Sequence, residues 1–387
     1  MKKRQTVQLV WMMTLVLISV GILMPASTEA GSLEPAAAPA PTMKTLDQVE
    51  PRIPISGSAT EIDTYTISQG GAYYLTGDRV CSSNGIQVDA DNVTIDLMGY
   101  SLIGLGSETD YGVRMGSRKG VEIRNGTVRG FNHGIYESSS SGEGHRVIEV
   151  RCVANGLSGI YLNSTGNLVK DCTVEENGDS AASTVYGIYA NNGSTVIGNT
   201  INDNGDSAAG YVYGIYADLG STVSNNTVRT SGSSATGPVY GIYAAAGTVT
   251  NNTANYNGSY VSSDVYGIHA SIACTVSNNM SSYNGFRDSG ANVYGIYASS
   301  GSTVTSNTAY YNGAIADDSN VYGIDIGTGS TVTNNTAYRN GSAATGGTVY
   351  GIYLRGNNLV DQNTAYHNNG INMNSCATCT FGMNHAP

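Results

Sequence analysis

Three groups of residues in this 387-residue chain carry side chains capable of chemistry. The first is a charged stretch holding Arg124, Arg129, His133, Glu137, Glu143, His145, Arg146, Glu149 and Arg151. Within it, Glu137 stands eight residues before His145, and a carboxylate shielded from water beside an imidazole is the usual raw material of an acid–base pair. Glu137 either points inward and meets His145 or lies in a turn and points to solvent. The second group is Cys376-Ala377-Thr378-Cys379 with Met373, Met383 and His385, a soft-ligand set of the kind that suits copper. The same two cysteines equally suit a disulfide in an exported protein. The third is a series of tyrosines at near-constant spacing: Tyr136, Tyr161, Tyr189, Tyr216, Tyr243, Tyr297 and Tyr353, interrupted by His269 and Asp325. Such a stripe either offers stacking surface to sugars or only stabilises its own strands.

The spacing of that stripe identifies the element that carries it. Tyr-Gly-Ile occurs at Tyr186, Tyr213, Tyr240, Tyr266, Tyr294, Tyr322 and Tyr350, at intervals of 27, 27, 26, 28, 28 and 28 residues. A repeat of this length marks a solenoid. Between Tyr186 and Tyr213 there is room for three short strands, Tyr186–Ala190, Ser194–Ile197 and Thr200–Asn202, separated by Asn/Gly turns. That is one coil of a parallel β-helix. Ile160, Ile188, Ile215, Ile242, Ile268, Ile296, Ile324 and Ile352 form one predicted inward stack, and Val196, Val223, Val249, Val276, Val304, Val332 and Val360 a second. No coil buries these alone, so stacking must create the core. Crossover chirality favours the right hand. The expected fold is all-β: a right-handed parallel β-helix solenoid of about twelve rungs, over residues 85–371, with an N-terminal cap at 54–84 and a C-terminal cap at 372–387.

Asn199, Asn226, Asn252, Asn279, Asn307, Asn335 and Asn363 recur at one turn and predict a ladder of stacked amides, on asparagines that tolerate left-handed backbone. Asn177, Asn204, Ser231, Asn257, Asn284, Asn312, Asn340 and Asn368 predict another, each followed by glycine except at Asn368. Cys152 and Cys172 are expected at the first turn of successive rungs, near enough for a disulfide. Variable loops follow the second ladder on one edge, where a solenoid carries function.

The pattern G-I-Y-x, S-T-V-x-N-N-T, N-G resembles the right-handed parallel β-helix repeat families, over roughly residues 60–375. These include the pectate-lyase-like superfamily and the group around the periplasmic copper-binding β-helix protein of nitrous oxide reductase maturation. Tyr65–Ser68, Gly71–Gly77 and Asn92–Leu97 resemble the first rungs of exported bacterial β-helix proteins of unassigned activity. The resemblance implies a substrate groove on the first-strand sheet and its loops. Sugar-binding candidates are then Tyr161, Tyr189, Tyr216, Tyr243, His269, Tyr297, Asp325 and Tyr353. Of the polygalacturonase motifs N-T-D, D-D, G-H-G and R-x-K, the chain offers only Asp317-Asp318 and Gly144-His145-Arg146, which departs at its third position. The calcium-binding carboxylates and groove base of pectate lyases have no residue-by-residue counterpart. No cofactor is therefore required, with calcium the cation the family would imply.

Composition bounds the partners. Lys2, Lys3 and Arg4 precede an apolar run, Val7–Met24, and Thr28-Glu29-Ala30 fits a signal-peptidase site. Residues 1–30 are expected to be a signal peptide, or else a retained anchor, and 31–53 an Ala/Pro-rich spacer. No later stretch is apolar enough to span a bilayer. The expected location is extracellular, at the cell surface or periplasmic. A net charge of −11 with 18 Lys and Arg argues against nucleic acid. The expected partner is a polysaccharide or cell-envelope glycan. The Ser-, Ala- and Gly-rich loops favour a binding or structural module. A polysaccharide lyase, hydrolase or epimerase is the alternative, and a metal-handling periplasmic protein the third reading.

Overall fold

The computed structural model describes residues 51–387, so the signal-peptide segment and most of the expected spacer lie outside the described residues. The described chain contains strands and turns and no helix. Its strands form two continuous sheets, of 13 and 25 strands. Pairing is parallel throughout, and each strand pairs with its counterpart one repeat away: Ile188 with Ile215, Val196 with Val223, Ile201 with Val228. Residues 54–84, read as a cap, also hold paired strands; Tyr65–Ile67, for example, runs beside Ile86–Val88. At the other end Ile371–Met373 pairs with the strand Val349–Leu354.

The predicted inward stacks are the core. Each isoleucine from Ile160 to Ile352 and each valine from Val196 to Val360 is fully buried. The third strand supplies Val174, Ile201, Val228, Ala254, Ala309, Ala337 and Ala365. A smaller core lies under the loops, where Val185, Val212, Val239 and Val265 meet Ala208, Ala235 and Val261. Parallel strands buried on one face need a device that fixes register, because a one-residue slip would turn every inward residue out.

The asparagine ladders are that device. Asn226 Nδ2 donates to Asn252 Oδ1 at 3.0 Å and to the Val196 carbonyl at 2.9 Å, while its own Oδ1 accepts the backbone and side-chain amides of Asn199. The same pattern repeats through Asn279, Asn307, Asn335 and Asn363 to Asn384. Both donors and the acceptor of each buried amide are thus used. The left-handed backbone sits one residue earlier than expected, at Asn225, Asn251, Asn278 and Asn334. That residue reverses the chain so that the ladder asparagine can point inward.

The second ladder runs Asn155, Asn177, Asn204 and resumes Asn257, Asn284, Asn312, Asn340, Asn368. Ser231 interrupts it with a hydroxyl too short to reach the next rung, and its buried Oγ has no partner.

Cys152 and Cys172 do not share the turn. Cys152 lies inward on the third strand, opposite Val128 and Val174. Cys172 holds the ladder position, its N–H donated to Asn199 Oδ1. In the rung of Cys152 the turn is made by Glu149 in left-handed backbone, and Val150 holds the ladder position, so Cys152 falls two residues beyond it. Both thiols are free and buried.

Replacing Ser231 with Asn should bridge Asn204 to Asn257. A stability gain of about 1 kcal/mol is expected from the added buried hydrogen bonds, measured as a raised urea midpoint; a lowered midpoint would show that the site has no room for the amide.

Candidate functional site

The tyrosine surface comes from a local irregularity in the first strand. Along Val185–Ala190, Tyr186 and Tyr189 face out, while Gly187 and Ile188 both face in. Strict alternation would put Tyr186 and Tyr189 on opposite sides. Gly187 absorbs the extra residue: it is skipped in the pairing register, between Tyr186–Tyr213 and Ile188–Ile215. A side chain there is impossible in the repeating geometry. A Cβ on the equivalent Gly214 would lie 2.3 Å from Val228 Cγ1 and 2.6 Å from the Gly241 carbonyl oxygen.

Two outward columns result. The predicted one runs Tyr161, Tyr189, Tyr216, Tyr243, and the sequence reading missed its neighbour, Tyr186, Tyr213, Tyr240, Tyr266, Tyr294, Tyr322, Tyr350. Rings within a column are face to face: 4.8 Å and 9° between Tyr216 and Tyr243, 4.6 Å and 2° between Tyr266 and Tyr294. Between columns they meet edge on, as Tyr213 does with Tyr216 at 5.2 Å and 90°. Each inner ring therefore has both faces covered by the rungs on either side. What the columns present to solvent is ring edges and phenol oxygens. Burial, then the Asp218 carboxylate beside Tyr216, and Tyr211 and Asp264 beside Tyr240, push the two hydroxyls up to about 12, so they stay protonated at neutral pH.

The two interruptions preserve the stack. His269 lies between Tyr243 and Tyr297, at 4.9 and 4.8 Å. Burial lowers its imidazole to about 4, which keeps it neutral. Asp325 is fully buried and accepts two bonds from Arg355, at 3.0 and 2.6 Å. Burial raises the Asp325 carboxyl and the guanidinium opposes that shift. Arg355 also lies over the rings of Tyr297 and Tyr353, at 5.7 and 5.8 Å. A flat cation thus replaces the missing phenol. The clue in the sequence was a second departure: Arg355 stands where Ser271, Ser299 and Gly327 stand in earlier rungs.

Glu137 points inward, at the position that Met115 and Leu162 fill in adjacent rungs. Its Oε2 accepts the Ser164 N–H at 2.8 Å, and Oε1 lies 3.1 Å from His145 Nε2. The Val121 N–H donates to His145 Nδ1 at 3.2 Å, which places the ring proton on Nε2, toward Glu137. Exposure is 0% for the glutamate and 1% for the histidine. A glycine closes the site, since a Cβ at Gly142 would fall 2.1 Å from Glu137 Oε1. The pair is brought together as the inward alternative required, but it is saturated and sealed from solvent. It pins the turn over residues 138–145.

Cys376 and Cys379 form a disulfide, which occupies the thiols of the candidate soft-metal set. His385 continues the ladder turn, its N–H donated to the Asn363 carbonyl. Among the described residues no three His, Cys, Asp or Glu side chains converge as metal ligands. Asp317 accepts from the Thr345 hydroxyl and Asp318 turns the loop in left-handed backbone.

The loops border a groove of about 1090 Å³, lined among others by Glu108, Glu176, Asp179, Asp203, Asp206 and Tyr260 and by no lysine or arginine. No helix among the described residues is long and apolar enough to cross a membrane.

A family described as the right handed beta helix region matches residues 55–231 and 111–280. The chain belongs to this right-handed β-helix family. No curated protein matches its sequence. Among solved structures, the A-module of mannuronan C-5 epimerase AlgE4 from Azotobacter vinelandii is similar at 13% identity and a TM-score of 0.48, over 87% of this chain and 92% of that one. A mutant of the periplasmic alginate epimerase AlgG is similar at 12% identity and 0.48, over 83% and 76%. The Dettilon tailspike protein gp208 is similar at 14% and 0.45; 86% of this chain is covered but only 62% of the tailspike. Likeness at this level is to the fold of this β-helix.

Glu137→Ala would leave the Ser164 N–H and the His145 Nε2–H without partners in the core. A loss of about 3 kcal/mol is expected in denaturant unfolding; a negligible loss would show that the pair is dispensable to the fold.

One loop carboxyl gives a pH signature. Asp288 is 1% exposed and its Oδ2 has no partner. Burial, with a smaller push from Asp264, raises it from 3.8 to about 8. Between those values the folded chain holds a proton that the unfolded chain has released, so stability falls as pH rises through that window. Asp288→Asn should raise the melting temperature at pH 8 and leave it unchanged below pH 4. Equal gains at both pH values would contradict the assignment.

Proposed function

We propose that this chain is an exported, non-catalytic module that binds polysaccharide along its tyrosine columns. The observation that carries the reading is the pair of continuous outward columns, repeating once per rung. Strand spacing sets that repeat at about 4.8 Å, which offers a polymer lying along the axis the same contacts again and again. Because the ring faces are consumed by the stack, recognition rests on the phenol oxygens, each a donor and an acceptor. Arg355, held between Tyr297 and Tyr353, adds guanidinium N–H donors at one end. The location is outside the cytoplasm, as the N-terminal segment suggests. The sealed state of Glu137 and His145 supports a binding role over an acid–base one.

The test separates hydroxyl recognition from ring stacking. Tyr216→Phe, Tyr243→Phe and Tyr297→Phe together keep every ring and delete three hydroxyls. At about 1 kcal/mol per hydrogen bond, retention on a bound polysaccharide should weaken by about a hundredfold, with an unchanged circular dichroism spectrum. Undiminished retention would exclude the columns as the binding surface. Failure of the wild-type protein to bind any neutral or acidic polysaccharide would overturn the reading itself.

A further inference from the structure

Two columns of this solenoid share one backbone geometry and are filled by different rules. Both consist of the residue just before a ladder position, held at positive φ. Left-handed backbone is costly for residues with large or branched side chains and least so for Gly and Asn. The first column mostly obeys that preference, with Asn125, Gly198, Asn225, Asn251, Asn278 and Asn334; its exceptions, Glu149, Asp171, Ser306 and Gln362, include no ring and no β-branched residue. The second ignores it and holds Glu176, Asp203, Thr230, Tyr256, Tyr283, Tyr311, Arg339 and His367 in successive rungs. Before these come Gly130 and Ala154, but from Glu176 to His367 the column contains neither Asn nor Gly. Three tyrosines and a β-branched threonine in left-handed backbone are outliers of the kind that point to function.

The second column also changes character along the axis, from carboxylates through a hydroxyl to rings and then to Arg339 and His367. Glu176 and Asp203 line the loop-edge groove. Tyr256, Tyr283 and Tyr311 then stack at 4.8 and 5.0 Å. Arg339 covers Tyr311 and donates to its hydroxyl. Tyr256 is the first ring of this stack. Tyr283 covers one of its faces, and on the other side the rung holds Thr230, so no ring stacks on that face; the residue is 38% exposed. Tyr260, 58% exposed, lines the same groove as Asp203.

We infer that this column is a second glycan contact, in which a neutral sugar ring stacks on the face of Tyr256 that no ring covers and donates a hydroxyl to Asp203, while Glu176, one rung further, accepts from the next sugar of the same chain. A ring face beside carboxylate acceptors suits an uncharged polyol. A polyanion is disfavoured, because the groove carries carboxylates and no lysine or arginine. The inference rests on the polysaccharide-binding reading and adds the ligand's charge class and a site away from the tyrosine face.

Tyr256→Asn is the informative variant, since asparagine suits the backbone that tyrosine strains. Its melting temperature should stay close to wild type, and retention on a neutral polysaccharide should weaken about tenfold or more, as a lost ring stack of 1–3 kcal/mol implies. Tyr256→Phe, which keeps the ring, should bind as wild type. This is the opposite of the outcome expected for phenylalanine in the main columns. Acidic polysaccharides should be retained more weakly than neutral ones. If Tyr256→Asn binds a neutral polysaccharide like wild type while the main-column phenylalanine variant does not, this site is refuted and the general reading stands. Wild-type protein that binds no glycan refutes both. Preference for a polyanion refutes the charge class.

Discussion

Every other feature of this molecule depends on the buried amide ladders. A solenoid of 26- to 28-residue coils has short strands and long connections, so strand pairing alone leaves register weakly specified. Each ladder asparagine ties its rung to the next through two hydrogen bonds and to a strand of an adjoining coil through a third. Buried amides left unpaired would cost more than they contribute, so only one register satisfies them all. The isoleucine and valine stacks then follow, and so do the columns on the outside. The solitary break at Ser231 leaves a buried hydroxyl unpartnered.

Fixed register turns single outward residues into columns, and that has a chemical consequence for the aromatic ones. Rings repeating at the strand spacing must lie face to face. They stabilise one another and in doing so lose their faces as binding surface. The main columns therefore offer oxygens and edges, whereas a column that begins part-way along the solenoid has one ring with a face that no other ring covers. Tyr256 is such a beginning. The same geometry lets His269 and the Arg355 guanidinium take ring positions, since any flat group of similar thickness completes the stack.

Much of the fold was legible in the residues. The inward aliphatic stacks and both ladders were readable because a residue type that returns at the coil period occupies the same place in every coil. Three features were not. Tyr186 and its repeats face outward only because Gly187 takes an extra inward position, and strand alternation predicts otherwise. The left-handed turn residue precedes the ladder asparagine, a distinction that adjacent asparagines such as Asn225-Asn226 conceal. Cys152 lies two residues past its expected place because the turn in its rung falls at Glu149 and Val150 takes the ladder position, with no asparagine there to mark it. For the site, the inward phase of Glu137 was visible, but its sealing by Gly142 depends on a loop of another conformation.

The sequence by itself determined the coil, its period, its core and which residue types form columns, because those are properties of repetition. Tertiary structure decided what each column can do. Whether a ring shows its face, whether Glu137 meets water and whether Asp325 is paired all depend on what the adjoining rung or loop places within a few ångströms. Those contacts are set by the stacking of coils, which the order of residues within a single repeat does not encode.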